Sequence, residues 1–253
     1  MSLTQATFNN DSLWAFMTGF GEGVNDLRCT LANLRLKATV DTATHYFTKS
    51  IQINGITDDY RQGVIYIPDV HKVGAFLKAC DEEHTTMRHV GNTLTLKNGN
   101  NELSMPTSDY IMSHTTVDRA ETAISQAVRN QWAKLGRADL ECHGMLTMGD
   151  TRGMTALTKV VGKDAPVKVR VADGEMTIAA GTNRGARMTR QCDVDTDYDG
   201  TCETVFGPHF PKLLNLMPSG PALFHMGDKS ALVIVHAELA CTLILKHQQG
   251  VDQ

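Results

Sequence analysis

The sequence predicts a duplicated α+β fold: two similar domains, each an antiparallel sheet with helices packed on one face. Three observations carry this. A block of helix, strand, Gly-Asx turn, strand, turn, strand begins at Asp69 and begins again at Phe206, 137 positions on, and repetition at a fixed spacing is how two copies of one unit read. The strand-like segments follow one another through tight turns, as antiparallel pairing allows. The helical stretches each carry one apolar stripe, which needs a sheet to cover it.

In the first copy, DSLWAFMTGF reads as a short helix with Asp11 as N-cap, Leu13, Phe16, Met17 and Phe20 on one face, and Gly19, Gly21 and Gly23 ending it. LRCTLANLRLKATV, HYFTKSIQI and GVIYIP are strands. A second helix runs from Asp69 with Val70, Val73, Leu77 and Cys80 facing inward. TTMRHV, TLTLKN and ELSMP then turn at Gly91-Asn92 and Gly99-Asn100. In the second copy, GDTRGMTALTKVVGK reads as a helix with Met154, Leu157 and Val161 toward the core. VKVRV and EMTIAA form a hairpin turning at Asp173-Gly174. The helix from Phe206 buries Phe210, Leu213 and Leu214, and PALFHM, SALVIVH and LACTLILK complete the set.

One segment has no counterpart in the other copy, so the chain divides into an N-terminal domain (1–105), a connector (106–146) and a C-terminal domain (147–253). The connector's TTVDRAETAISQAVRNQWAKLG reads as a helix over 117–135, with Thr115 and Asp118 as a capping box. Val117, Ala120, Ile124, Val128 and Leu135 lie at helical spacing, and Gly136 is a stop. It is either a strut packed on one domain or an element on which a partner docks.

With 253 residues, 42% hydrophobic and 21% charged, each half can bury its own core. No apolar run approaches the roughly 18 to 20 residues of a membrane span, and the chain does not open on a basic segment followed by an apolar one. A cytoplasmic protein is expected. The six cysteines lie apart, with no CxxC and no zinc spacing, so they are expected to be reduced and mostly buried. The sequence has no GxSxG, HExxH or P-loop, and the glycines at 19, 21 and 23 follow a helix rather than a strand, so no enzyme is predicted and no cofactor is implied. Asp193, Asp195, Asp197 and Asp199-Gly200 alternate as in a calcium loop, which keeps a metal-dependent two-domain protein open as the alternative. A loop starting at Asp195 would, however, put Phe206 where the bidentate Glu belongs.

The cations follow a pattern within this chain of net charge −4. Arg152, Lys159 and Lys163 share one helix face opposite the apolar stripe. His71 and Lys78, with Lys72 beside them, do the same on the helix from Asp69, and His209 and Lys212 on the helix near Phe206. Each face alone is an ordinary solvated surface. Three on equivalent helices would converge if the two halves were arranged around an axis.

The stretches FLKACDEEHTTMRHVGNTLTLKNGNNELSMP, VRVADGEMTIAAGTNRG and DYDGTCETVFGPHFPKLLNLMPSGPALFHMGDKSALVIVHAELACTLIL resemble the sliding clamps that act as DNA polymerase processivity factors. The trimeric clamps of T-even-type bacteriophages are the most similar. The resemblance runs from Tyr66 to Met105 and from Met148 to His247, with a weaker match over the opening helix and LRLKATVDTATHYFTKS. It implies a homotrimeric ring around duplex DNA, with helices lining the hole and sheets forming the outer wall. Lys72, Lys78, Arg152, Lys159, Lys163 and Lys212, with His71 and His209, would face the DNA. The opening helix departs from that pattern, with no Lys or Arg between Asp11 and Glu22. A partner-peptide pocket would involve Tyr110, Ile111, Met112, Lys246 and His247. The implied partners are double-stranded DNA without sequence preference, the replicative DNA polymerase, a clamp-loader ATPase and transcription proteins. The implied place is the cytoplasm, the host's if the chain is phage-encoded.

Overall fold

Antiparallel strands dominate the computed structural model, which describes residues 3–21, 23–53, 59–107, 114–149, 154, 160–162, 164–181, 185–236 and 241–248. The chain forms two units, one of residues 1–40 with 48–117 and one of residues 41–47 with 118–253.

The first unit contains β1 (Leu3–Asn9), α1 (Asn10–Thr18), β2 (Leu27–Ala32), β3 (Arg35–Asp41), β4 (His45–Gln52), β5 (Gly63–Ile67), α2 (Val70–Lys78), β6 (His84–Val90), β7 (Thr93–Asn98) and β8 (Asn101–Pro106), with the ends of β3 and β4 nearest their connecting turn counted in the second unit. Its strands are ordered β1-β6-β7-β8 and β4-β3-β2-β5. Alternation builds the core: Thr4, Ala6 and Phe8 of β1 are buried and their neighbours less so. Leu13, Phe16, Met17 and Phe20 are all buried, as are Val70, Val73 and Leu77, and α1 packs on α2. The cap of α1 is Asn9 rather than Asp11, because β1 runs straight into the helix and its last side chain accepts from the Ser12 N–H at 3.1 Å. Cys80 lies past the Ala79 C-cap of α2, and so is half-buried rather than part of the inward face.

The connector helix α3 (His114–Arg129) ends earlier than the sequence pattern suggests. Gln131 and Trp132 adopt left-handed φ of 51° and 61°, and the Trp132 N–H reaches back to the Ala127 carbonyl at 2.7 Å. That bond closes the helix as a Schellman-type cap and turns the chain. Leu135 therefore belongs not to a helix but to a small hairpin, β9 (Lys134–Leu135) with β10 (Ala138–Asp139), and Gly136 serves its turn. Ile124, Ala127, Trp132 and Leu140 pack on Val233 and Ile244, with Tyr46 alongside.

The second unit continues with β11 (Cys142–Thr147), β12 (Val167–Ala172), β13 (Glu175–Gly181), β14 (Arg187–Asp195), β15 (Cys202–Phe206), α4 (Phe210–Leu214), β16 (Pro221–Met226), β17 (Leu232–His236) and β18 (Cys241–Leu245). It contains the runs β11-β16-β17-β18 and β14-β13-β12-β15, the first unit's arrangement strand for strand. Even the β2–β3 and β12–β13 turns correspond, with Asn33-Leu34 and Asp173-Gly174 both at positive φ. The predicted helix over 149–163 falls mostly outside the described residues; of those that are described, Met154 is helical and buried. In α4, Phe210 and Leu214 are buried, and Leu213 is only half-buried. Five of the six cysteines are buried, and all are free thiols.

Candidate functional site

Within the second unit a cleft of about 320 Å³ opens between Ala43 and Thr44, the stretch from Phe206 to Phe210 with Leu213, and the end of the last strand from Leu245 to Gln248. Pro208 and Pro211 shape the short entry to α4. The Phe206 and Phe210 rings stack beneath it, centroids 4.9 Å apart. The opposite wall is zipped into place by backbone bonds: the Lys246 N–H donates to the Thr44 carbonyl at 2.9 Å and the Gln248 N–H to the Val205 carbonyl at 3.0 Å. The His247 Nδ1 lies 3.2 Å from that same Val205 carbonyl.

Lys246 is held on three sides. Its Nζ is 2.8 Å from Asp41 Oδ1, donates to the Thr42 carbonyl, and sits 3.9 Å over the centre of the Tyr46 ring. Burial holds the neighbouring His45 imidazole below its usual pKa, and the Lys246 charge adds to this. The cleft thus has an aromatic and aliphatic base, fixed edges and a tethered cation. Such a site takes a short, mostly apolar segment and orients it by a few polar contacts.

Of the predicted pocket residues, Lys246 and His247 line this cleft, while Tyr110, Ile111 and Met112 lie outside the described residues. His209, predicted on the DNA side, is exposed and lines the same cleft. The wall from Phe206 to Leu213 and the Ala43-Thr44 edge were not read from sequence. The closely set prolines in GPHFP are the one local signal, and nothing in the sequence couples Thr44 to Lys246. No described residue of α3 lines the cleft.

On α2, His71, Lys72 and Lys78 are exposed, as predicted from the helix face. Asp69 caps this helix by accepting from the Lys72 N–H at 2.9 Å, and that backbone bond is the main cause of its lowered carboxyl pKa. The Lys72 ammonium is 3.2 Å from the same carboxylate. Lys212 is exposed on α4. Arg152, Lys159 and Lys163 lie outside the described residues.

The calcium-loop reading is corrected by backbone geometry. Asp193 and Asp195 sit on extended β14, where alternate residues are about 6.6 Å apart, so their carboxylates are spread along the strand instead of converging. Asp197 turns to the exposed His143, Oδ1 to Nε2 3.6 Å. Among the described residues no group of three or more His, Cys, Asp or Glu could hold a metal ion, and no helix is long and apolar enough to cross a membrane.

No family model matches the chain, and no curated protein matches it in sequence. Solved structures do match. A DNA polymerase III beta subunit of Eubacterium rectale superposes with a TM-score of 0.75 at 11% identity, covering 97% of this chain and 65% of that one. The DNA polymerase sliding clamp of Pseudomonas aeruginosa gives 0.72 at 11% identity, over 97% and 67%. The PCNA of A. fulgidus, solved with the C-terminal region of FEN-1 bound, gives 0.67 at 12% identity, over 98% of this chain and 99% of that one. The chain thus spans about two thirds of the Eubacterium rectale and Pseudomonas aeruginosa proteins and nearly all of the A. fulgidus PCNA. A doubled unit with one strand order, matched over almost its whole length, identifies the fold of this chain as that of the DNA polymerase sliding clamps.

Proposed function

We propose that this chain is a non-enzymatic sliding clamp that encircles duplex DNA and tethers the replicative DNA polymerase for processive synthesis. The observation that carries the reading is the strand-for-strand repeat together with its likeness to clamps over nearly the whole chain. A clamp needs diffuse attraction to phosphates without base-specific bonds, because tight contacts would act as a brake. Lys72, Lys78 and Lys212, with Arg152, Lys159 and Lys163 and the lesser His71 and His209, are the residues assigned to that attraction. The excess of Asp and Glu (28) over Lys and Arg (24) disfavours non-specific adhesion of nucleic acid to the chain as a whole.

In this reading the ring is a homotrimer closed by strand edges. β8 ends its sheet among the described residues, and β14 meets β11 at Met145↔Asp195 and Leu146↔Val194, with no β11 partner for Arg187 to Gln191. Glu102 is exposed on β8, and Arg187 is exposed on β14, so the two edges suit one another in charge. The cleft at Lys246 and His247 would take a short apolar peptide of the polymerase, with Tyr110, Ile111 and Met112 at its border. A clamp-loader ATPase and transcription proteins are further partners. Kinship with T-even-type phage clamps, and with it the host cytoplasm as the place of action, belongs to the same reading.

Light scattering over a dilution series tests the ring, with three times the 27.7 kDa chain mass expected. Persistent monomer would overturn the trimer. Charge reversal at Lys78 and Lys212 together should weaken duplex binding and flatten its salt dependence by about two phosphate contacts. An unchanged slope would overturn their assignment to DNA.

A further inference from the structure

In the first unit, α1 and α2 leave a groove of about 450 Å³ between them. Its floor is apolar, with Met17 and Phe20 buried beneath it. Trp14 of α1 stands in its wall with 39% of its surface exposed, and on α2 Lys78 supplies a cation at the rim with the His71 ring beside it. Among the described residues no carboxylate lines it. An exposed aromatic beside a cation over an apolar floor is the combination by which proteins hold unpaired nucleotides, the base against the ring and the phosphate at the ammonium.

The shape decides between nucleic-acid forms. A duplex is convex and keeps its bases stacked inside, so it touches the lips of a groove between two helices and cannot reach the floor. A base turned out of the stack is flat, apolar on both faces and small enough to enter. A surface meant only for sliding along phosphates would carry Lys or Arg on both helices. α1 carries none and presents an indole instead.

We infer that the α1–α2 groove binds an unpaired nucleotide of single-stranded DNA, its base against Trp14 and its phosphate at Lys78. This rests on the nucleic-acid reading above and narrows it to a single-stranded stretch, such as template beside a primer end.

The test titrates the full chain with oligothymidylate and with a duplex of equal length, following indole emission. Trp132 is 8% exposed and supplies a steady background. Oligothymidylate should quench Trp14 saturably, and Trp14→Ala should weaken its binding, read by anisotropy of a labelled strand, at least about fivefold. Ala75→Glu, which brings a carboxylate from an exposed position into the groove, should weaken it likewise. Circular dichroism checks that both variants are folded. Equal quenching by duplex, or unaltered oligothymidylate binding by both folded variants, overturns the inference. Emission that changes with protein concentration alone assigns the groove to a second copy and overturns it too. A trimer that holds duplex while its indole ignores oligothymidylate overturns the groove and leaves the clamp standing. Failure of both trimer and duplex binding overturns the clamp instead.

Discussion

Lys246 Nζ lies 2.8 Å from Asp41 Oδ1, an ion pair in which the lysine side chain is 29% exposed and the aspartate 13%. Partial burial gives such a pair more weight than a surface bridge, because whichever partner remains after a substitution is poorly hydrated. Lys246→Met should lower stability by about 1–3 kcal/mol, read from the urea midpoint. Asp41→Asn in the same chain should recover part of that loss. A midpoint unmoved by Lys246→Met would mean that the pair contributes nothing.

Leu34 is a residue out of place in its turn. With Asn33 it forms the β2–β3 turn at φ of 51° and 56°, while the matching turn in the second unit uses Asp173 and Gly174. Left-handed backbone costs a side-chain-bearing residue about 1–2 kcal/mol, and Asn-Gly is a preferred pair for such a turn. Leu34→Gly should stabilise the protein by about 0.5–1 kcal/mol after the entropy of the added glycine is subtracted. Gly174→Leu should destabilise it, and thermal melts of both variants provide the check.

Two glycines should respond oppositely to alanine. A Cβ on Gly74 of α2 would meet Thr18 Cγ2 at an ordinary 3.5 Å, so Gly74→Ala should add about 0.8–1 kcal/mol of helix stability. A Cβ on Gly144 of β11 would lie 2.5 Å from the Asp195 carbonyl oxygen and 2.9 Å from the Phe224 ring. Gly144→Ala should therefore destabilise the β11–β14 junction. Denaturant midpoints moving in the same direction for both would refute the contrast.

Three histidines make the fold sensitive to acid. Burial, aided by the neighbouring His143, drops His225 to about 4. Burial also lowers His45, with Lys246 adding to it, and lowers His89. Their folded-state values lie below the unfolded value of about 6.5, so the unfolded chain binds more protons in that interval. Stability is therefore fully present above about pH 6.5 and falls as pH drops toward 4. Melting temperatures between pH 7 and pH 4.5 should show the decline, and His225→Gln should make it shallower. An identical slope in that variant would remove His225 from the account.

The repeat was legible because its turns carry their own chemistry: Gly91, Gly99 and Gly174 all sit at positive φ, where glycine is the favoured residue. The apolar stripes of α1 and α2 were equally plain, since burial imposes a helical period. The end of α3 was not, because Val128 and Leu135 continue the period while the left-handed Gln131 and Trp132 break it. The cap at Asn9 was hidden by a second plausible cap two residues on. The cleft was only half legible. His247 meets Val205 and Lys246 meets Thr44 through contacts between distant parts of the chain, and sequence spacing carries no record of them.

The helix and small hairpin packed on Val233 and Ile244 have no twin among the described residues of the first unit. Two otherwise equivalent halves are thereby made distinguishable. A binding protein that gripped the repeated sheets would find two stations on every chain and could not tell them apart. One that gripped α3 would find a single station, and so would count chains and sense which end of each it had met.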